Sequence, residues 1–277
     1  MAIPTCILGR TGQLVTRLGL GGEGVLRTFG QEIAAHALVN RALDLGITYC
    51  ESARAYSGSE AYYGKALGER RKEIFLASKA HNRDKKGALA HLHETLTNMK
   101  TDHLDLWQVH DVREEGDIAA IFGPGGAIEA FVQAKQQGKT RFIGVTGHHD
   151  PSIIRKCIEQ FDFDTVLMPI NPAEQKYKSF IENVLPLARE KNMGIIGMKV
   201  YMRGYASGLP WYASMEPFLR FALSQTITNV VIGCDDIAQL EQNVEFASSF
   251  EPMTKEQQQD LSRDVSPFAR QLMYYKP

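Results

Sequence analysis

Short apolar runs rich in β-branched residues alternate along the chain with longer segments in which apolar residues recur three and four positions apart. This pairing of an extended run with a helical segment repeats eight times. Eight consecutive units of this kind favour a closed barrel over an open, doubly wound sheet. The predicted strands are Leu18–Gly22, Ile47–Glu51, Ile74–Lys79, Leu104–His110, Arg141–Gly147, Thr165–Ile170, Gly194–Val200 and Asn229–Gly233.

Most of these runs are apolar on both faces, which is typical of parallel strands covered by helices. The segment Ala88–Met99 carries its apolar residues on one stripe and is predicted to be a helix that packs on the sheet. Asp150 followed by Pro151 predicts a helix start, and Gly46 and Gly138 end helical segments. The fold class is therefore α/β, a (β/α)8 TIM barrel.

The two ends of the chain lie outside the eight units. Residues Cys6 to Thr16 predict a β-hairpin with Gly12 near its tip, which would close the bottom of the barrel. The tail after Met253 has weaker periodicity and is expected to cover the site or an interface. A length of 277 residues fits one barrel, so residues 1–277 are expected to form a single domain.

Composition narrows the possible partners. Lysine and arginine number 31 against 32 acidic residues, and the net charge of −1 gives no indication of nucleic acid. The apolar runs are shorter than the ~20 residues that a membrane span needs. The sequence therefore predicts neither a nucleic-acid partner nor a membrane.

Cysteine usage and the N-terminus bear on the compartment. The 4 cysteines are widely separated and form no Cys-X-X-Cys pair, and the first residues lack both a basic and an apolar leader region. Both observations favour a cytoplasmic location, with the cysteines reduced. These cysteines are Cys6, Cys50, Cys157 and Cys234.

Four polar residues lie where barrel enzymes place their chemistry, at or just after the carboxyl ends of strands. They are Glu51, Tyr56, Lys79 and His110. An ammonium beside a phenol favours the phenolate, so Lys79 is predicted to lower the pKa of Tyr56. Glu51 is predicted to offset the desolvation of Lys79, and neutral His110 to orient a substrate oxygen toward Tyr56. Such a site suits carbonyl reduction or its reverse.

The same residues stand in motifs that resemble the aldo-keto reductase family. Gly46 to Tyr56 read Gly-Ile-Thr-Tyr-Cys-Glu-Ser-Ala-Arg-Ala-Tyr, close to the family run that ends Asp-Thr-Ala-X-X-Tyr. The likeness continues through Ala77–Lys79, Leu104–His110, Gly138–Gly147 and Val231–Asn243, and covers nearly the whole chain. It implies Tyr56 as the general acid, together with a carboxylate, a lysine and a histidine, beside a nicotinamide cofactor that delivers hydride.

The resemblance also implies a set of cofactor contacts. The predicted cofactor-binding positions are Gly22, Glu23, Thr146, Gly147, Met198, Lys199, Gly233, Cys234, Gln239 and Asn243. NADP(H) is the preferred cofactor and NAD(H) a possible one. The partner is a small carbonyl or alcohol substrate, and the protein is expected to be a monomer or a small homo-oligomer.

Several positions depart from the family pattern, among them Met198 in place of an aromatic residue and Cys234 in place of a serine. Glu51 stands where the family has Asp, which moves the carboxylate one methylene outward. Thr146-Gly147 replaces the Ser-Asn pair that holds the nicotinamide amide, so a hydroxyl is kept and an amide is lost. Gln239 stands where the family has the basic residue that binds the 2′-phosphate. The change at Glu51 bears on the Lys79 contact, and the others bear on cofactor binding.

Two rival functions stay open at this point. A metal-dependent hydrolase or isomerase would draw on His81, His110, His148, His149 and Asp150. Adjacent His148 and His149 are expected to point in different directions, so no metal site is predicted. The second rival is a barrel that binds a nucleotide as a sensor and turns over slowly.

Overall fold

Eight parallel strands close into a barrel in the computed structural model, which describes residues 2–277. An antiparallel hairpin, β1 (Thr5–Ile7) and β2 (Leu14–Thr16), precedes it. The barrel strands are β3 (Leu18–Gly24), β4 (Tyr49–Glu51), β5 (Phe75–Ala80), β6 (Leu104–Val109), β7 (Thr140–Thr146), β8 (Thr165–Pro169), β9 (Gly194–Met198) and β10 (Asn229–Cys234). They follow one another around the barrel, and β10 pairs with β3 to close it. The predicted (β/α)8 fold is confirmed.

Helices connect and surround the strands. They are α1 (Glu32–Asp44), α2 (Ser59–Ala66), α3 (Lys85–Met99), α4 (Glu115–Phe122), α5 (Ala127–Gln136), α6 (Pro151–Gln160), α7 (Phe180–Asn183), α8 (Leu185–Glu190), α9 (Glu216–Ser224), α10 (Ile237–Ser248), α11 (Lys255–Val265) and α12 (Ala269–Leu272). Short 3-10 turns occupy Gly9–Thr11, Val25–Arg27, Gly68–Glu73, Glu174–Lys176, Met202–Gly208 and Ser266–Phe268.

The predicted helix signals correspond to observed ends. The carboxylate of Asp150 accepts from the backbone N–H of Ser152, and Pro151 is the first residue of α6. The helix predicted over Ala88–Met99 begins earlier, at Lys85, because Asp84 caps it. Two crossovers contain a pair of helices each, α4 with α5 and α7 with α8, which simple alternation does not predict.

The N-terminal hairpin closes the bottom of the barrel, as predicted. Leu8 and Val15 are fully buried and lie in one cluster with the inward side chains of Tyr49 and Phe75. Gly12 takes a φ of 68°, the left-handed conformation that the turn requires and that glycine adopts without strain. An apolar plug therefore seals the end of the barrel opposite the candidate site.

The C-terminal tail returns to the carboxyl ends of the strands. Tyr275 and Lys276 are buried there, and the Tyr275 ring lies edge-on to His148 with 5.9 Å between the ring centroids. The tail therefore packs at the carboxyl end of the barrel, against residues that follow β7 and β8. Among residues 2–277, no helix has the length and apolar character needed to cross a membrane.

Candidate active site

A buried ion pair lies at the carboxyl ends of β4 and β5. Glu51 pairs in register with Ala77, and Lys79 lies two residues further on the same inward face. The Lys79 ammonium donates to Glu51 Oε1 at 2.7 Å and to the backbone carbonyl of Ser52 at 2.8 Å. The two side chains are 1% and 4% exposed, so each charge offsets the cost of burying the other.

Tyr56 and His110 lie directly against this pair. The Lys79 ammonium is 5.1 Å from the centroid of the Tyr56 ring. The imidazole of His110 stands edge-on to the same ring, with 5.8 Å between the centroids. The structure therefore brings together all four residues that the sequence proposed for catalysis.

The pKa of Tyr56 is raised well above that of an ordinary phenol. Burial is the largest cause, the carboxylates of Glu23 and Glu51 act in the same direction, and the guanidinium of Arg27 opposes them. The net direction therefore differs from the lowered pKa expected from the sequence, and Tyr56 is held as a protonated phenol at neutral pH.

His110 is held neutral. Burial lowers its pKa well below the ordinary value of histidine, and the nearby Lys79 charge adds to this effect. Its Nδ1 atom is buried and has no hydrogen-bond partner among the described residues. A neutral imidazole can donate one hydrogen bond to a substrate oxygen without taking its proton.

A cavity of about 770 Å³ is lined by Glu51 and Tyr56, whereas Lys79 and His110 lie behind them, outside its described lining. This volume lies within the usual range for small-molecule and cofactor pockets. Seven predicted cofactor positions line the cavity: Gly22, Glu23, Met198, Lys199, Gly233, Gln239 and Asn243.

Three predicted cofactor positions, Thr146, Gly147 and Cys234, lie outside the described lining of the cavity. The hydroxyl of Thr146 accepts from the backbone N–H of Asp111 at 2.9 Å. A side-chain carbon at Gly147 would overlap Ile154, so this backbone packs closely against α6. Thr146 and Gly147 are therefore already in contact with other parts of the protein.

Arg27 is a site residue that the sequence did not identify. Its guanidinium carbon is 4.8 Å from the centroid of the Tyr56 ring, and Arg27 Nη1 donates to Glu23 Oε1 at 2.9 Å. Lys199 lies 3.6 Å from the same carboxylate oxygen. Arg27 also lines the cavity, as does Arg203. A basic residue four positions after Glu23 in the first loop was the available signal.

The far end of the cavity lies at the start of α10. Asp236 caps this helix by accepting from the backbone N–H of Gln239 at 2.8 Å. Asn243 donates to Cys234 Sγ and accepts from the hydroxyl of Tyr201 at 2.7 Å. Among the described residues that line the cavity, the lysines and arginines are Arg27, Lys199 and Arg203.

The histidines of the rival metal hypothesis do not form one cluster, and His110 lies apart from the others, against Tyr56. His81 lies against His91, with 4.4 Å between the ring centroids. His148 and His149 both face Asp111, so the expectation that they point in different directions is wrong. The chain bends at these two residues, which removes the alternation of an extended strand. Burial lowers the pKa of His148 to about 4.

Comparisons with known proteins agree with this architecture. L-galactose dehydrogenase from Arabidopsis thaliana is 26% identical, over 91% of this chain and 90% of that protein. The solved structure of the aldo-keto reductase AKR11C1 from Bacillus halodurans in its holo form has a TM-score of 0.79 at 24% identity, covering 95% of this chain and 96% of that one.

A second solved structure is an aldo-keto reductase from Klebsiella pneumoniae in complex with NADPH. It has a TM-score of 0.79 at 18% identity and covers 95% of both chains. At these identities the two structures support the fold. The model of the aldo/keto reductase family matches residues 17–209, most of the barrel. The chain belongs to the aldo/keto reductase family of oxidoreductases.

Proposed function

We propose that this protein is an NAD(P)(H)-dependent oxidoreductase that reduces aldehyde or ketone groups of small molecules, or oxidises the matching alcohols. Tyr56 serves as the general acid and base, and His110 orients the substrate carbonyl. Glu51 anchors Lys79, whose charge favours the phenolate relative to burial alone. The observation that carries the proposal is the 2.7 Å Glu51–Lys79 ion pair, buried beside Tyr56, with Glu51 and Tyr56 lining the cavity.

The residues around the cavity fit a dinucleotide. Lys199 and Arg203 provide positive charge for a pyrophosphate. Gly22 and Gly233 also line the cavity, and their lack of a side chain lets the backbone pack closely on Ser59 and Glu23. Polar side chains at Gln239 and Asn243 face the far end. We therefore assign these positions, with Glu23 and Met198, to cofactor binding, and Thr146, Gly147 and Cys234 to their support.

NADP(H) is the preferred cofactor in this proposal and NAD(H) the second. The Klebsiella pneumoniae neighbour contains NADPH, which supports the first choice. Asp235 and Gln239 line the far end of the cavity, where a 2′-phosphate would gain no cation from Gln239. Arg203 is the lining cation available to offset the charge of that phosphate, because Glu23 already pairs with both Arg27 and Lys199.

The reaction divides between the cofactor and the protein. When bound, the nicotinamide supplies a hydride to the carbonyl carbon in reduction and takes one back in oxidation. Tyr56, protonated because its pKa is raised, gives its proton to the carbonyl oxygen, which yields the alcohol. His110 holds that oxygen by a hydrogen bond. The Lys79 ammonium stabilises the phenolate that remains on Tyr56.

The proposal also covers the location, the oligomeric state and the substrate of the protein. We place it in the cytoplasm, since all 4 cysteines are unpaired in the described structure. We further propose a single domain over residues 1–277 and a monomer or small homo-oligomer. The substrate is a small polar carbonyl or alcohol compound, in line with the name of the L-galactose dehydrogenase relative.

Turnover of a general aldehyde by Tyr56→Phe tests the assignment. We expect a loss of roughly 10³-fold in kcat, because the proton donor is gone while the ring is kept. Tyr62→Phe is the matched control, since the Tyr62 hydroxyl accepts from Gln31 outside the cavity. Normal turnover in Tyr56→Phe would overturn the role of Tyr56.

Titration with NADPH and NADH, followed by quenching of the 2 tryptophans, tests the cofactor separately. We expect both Tyr variants to bind as the parent protein does, with tighter binding of NADPH. Tighter binding of NADH would reverse the preference. No binding of either nucleotide would overturn the proposed function.

A further inference from the structure

A cluster of two imidazoles and one carboxylate lies beside the proposed active site. Asp111 follows the end of β6, and His148 and His149 follow the end of β7, the neighbouring strand. Asp111 Oδ1 is 3.3 Å from His148 Nδ1 and 4.0 Å from His149 Nε2. One nitrogen of each imidazole and one carboxylate oxygen all lie within 4.8 Å of one another.

The carboxylate of Asp111 is oriented by contacts on its other side. Arg113 Nε donates to Asp111 Oδ2 at 2.8 Å, and the backbone N–H of Asp111 donates to the Thr146 hydroxyl. Oδ1 is buried and has no hydrogen-bond partner within residues 2–277, although two imidazoles face it. A buried carboxylate oxygen without a partner is costly, and a ligand shared with both imidazoles would remove that cost.

We propose that Asp111, His148 and His149 form a binding site for one divalent first-row transition-metal ion such as Zn²⁺. Two imidazole nitrogens and a carboxylate oxygen are a common protein donor set for such ions. Ligands about 2.1 Å from a shared tetrahedral ion lie roughly 3.4 Å apart, which matches the 3.3 Å separation of Asp111 and His148. The His149 ring would move inward by about 1 Å to complete the set.

The charged side chains around this site affect how tightly it would bind a metal ion. Arg113 binds the outer oxygen of Asp111, and Lys178 and Lys199 contribute positive charge toward the two histidines. These cations oppose a dication, while the Asp111 carboxylate favours it. The ion has no part in the proposed hydride and proton transfers. The site therefore stands or fails independently of the oxidoreductase proposal.

Metal titration of the full chain tests this site. The protein is first treated with EDTA and then titrated with Zn²⁺ by calorimetry and with Co²⁺ by visible absorption. We expect one saturable ion per chain and a Co²⁺ spectrum with ligand-field bands typical of nitrogen coordination. No cofactor or substrate is present, so the result does not depend on turnover.

Variants locate the ion. His149→Ala and Asp111→Asn should each weaken binding at least tenfold, since each removes one of three ligands. His91→Ala is the control, because it removes one imidazole from the other histidine pair, His81 and His91. Absence of saturable binding, or weakening in His91→Ala equal to that in His149→Ala, would overturn the site. Unchanged binding in His149→Ala and Asp111→Asn would do the same.

Discussion

Two lysine–glutamate pairs are buried at the carboxyl ends of the barrel strands, and they differ in how fully their polar atoms are bonded. Lys79 pairs with Glu51 in the barrel, and Lys276 of the C-terminal tail pairs with Glu174 after β8. Both contacts measure 2.7 Å, and all four side chains are at most 4% exposed. Distance and burial alone would assign them the same role.

The Glu174–Lys276 pair is fully bonded. The Lys276 ammonium donates to Glu174 Oε2 and to the backbone carbonyls of Tyr177 and Lys178, which uses its three hydrogens. The Tyr275 hydroxyl donates to Glu174 Oε1, and the backbone N–H of Phe180 donates to Oε2. A pair with every donor in use has no group left for a ligand, so it fixes the tail to the barrel.

The Glu51–Lys79 pair is incompletely bonded. Lys79 donates to Glu51 Oε1 and Ser52, and the buried Oε2 of Glu51 has no hydrogen-bond partner in the described chain. Glu51 also lines the cavity, and Tyr56 lies against Lys79. A carboxylate oxygen without a partner next to a cavity distinguishes this pair from the fully bonded Glu174–Lys276 pair.

Lys276→Met should give the largest effect of the changes that test this comparison. It leaves the Glu174 carboxylate buried without its counter-charge, so we expect the free energy of unfolding to fall by about 3–5 kcal/mol. Urea denaturation measures this. The double variant Lys276→Met/Glu174→Gln should recover part of the loss because no unpaired charge remains. An unchanged urea midpoint in Lys276→Met would show that the fully bonded pair contributes little to stability.

Lys79→Met should act chiefly on turnover. We expect kcat to fall about 10²-fold, since the cation that stabilises the Tyr56 phenolate is removed. Stability should fall less than in Lys276→Met, because Lys79 makes two hydrogen bonds where Lys276 makes three. Steady-state kinetics and urea denaturation on the same preparations separate the two effects. A Lys79→Met protein with normal kcat would remove the functional distinction between the pairs.

The sequence predicted the barrel because its signals are local. Buried parallel strands read as short apolar runs, and all eight predicted strands appear with ends within two residues of the observed ones. Polar residues at strand ends were visible in the same way. Strand order then determines which ends are neighbours, so the convergence of Glu51, Lys79 and His110 followed from the fold.

The features that the sequence missed depend on contacts between distant segments or on loop conformation. Glu174 and Lys276 are 102 positions apart, and neither lies in a recognisable motif. Arg27 reaches Tyr56 because the 3-10 turn Val25–Arg27 directs it there. The two-helix crossover after β6 follows from a break at Gly123-Pro124, which simple alternation overlooked. Contacts of this kind depend on the three-dimensional path of the chain and are not visible in local sequence patterns.

Arg27→Leu should give the smallest effect of these changes. Its pH profile tests how the charges around Tyr56 set the pKa of that phenol. The protonated phenol is the active form in reduction, and its pKa is raised by burial, so reduction should persist through neutral into alkaline pH and decline only above that range. Oxidation, which needs the phenolate, should rise over the pH range in which reduction declines. Arg27 is a cation that lowers this pKa, so Arg27→Leu should move the alkaline decline upward by less than about one pH unit. Glu23→Gln, which removes a carboxylate that raises the pKa, should move it downward. A shift in the same direction in both variants would exclude direct charge effects of Arg27 and Glu23 on Tyr56.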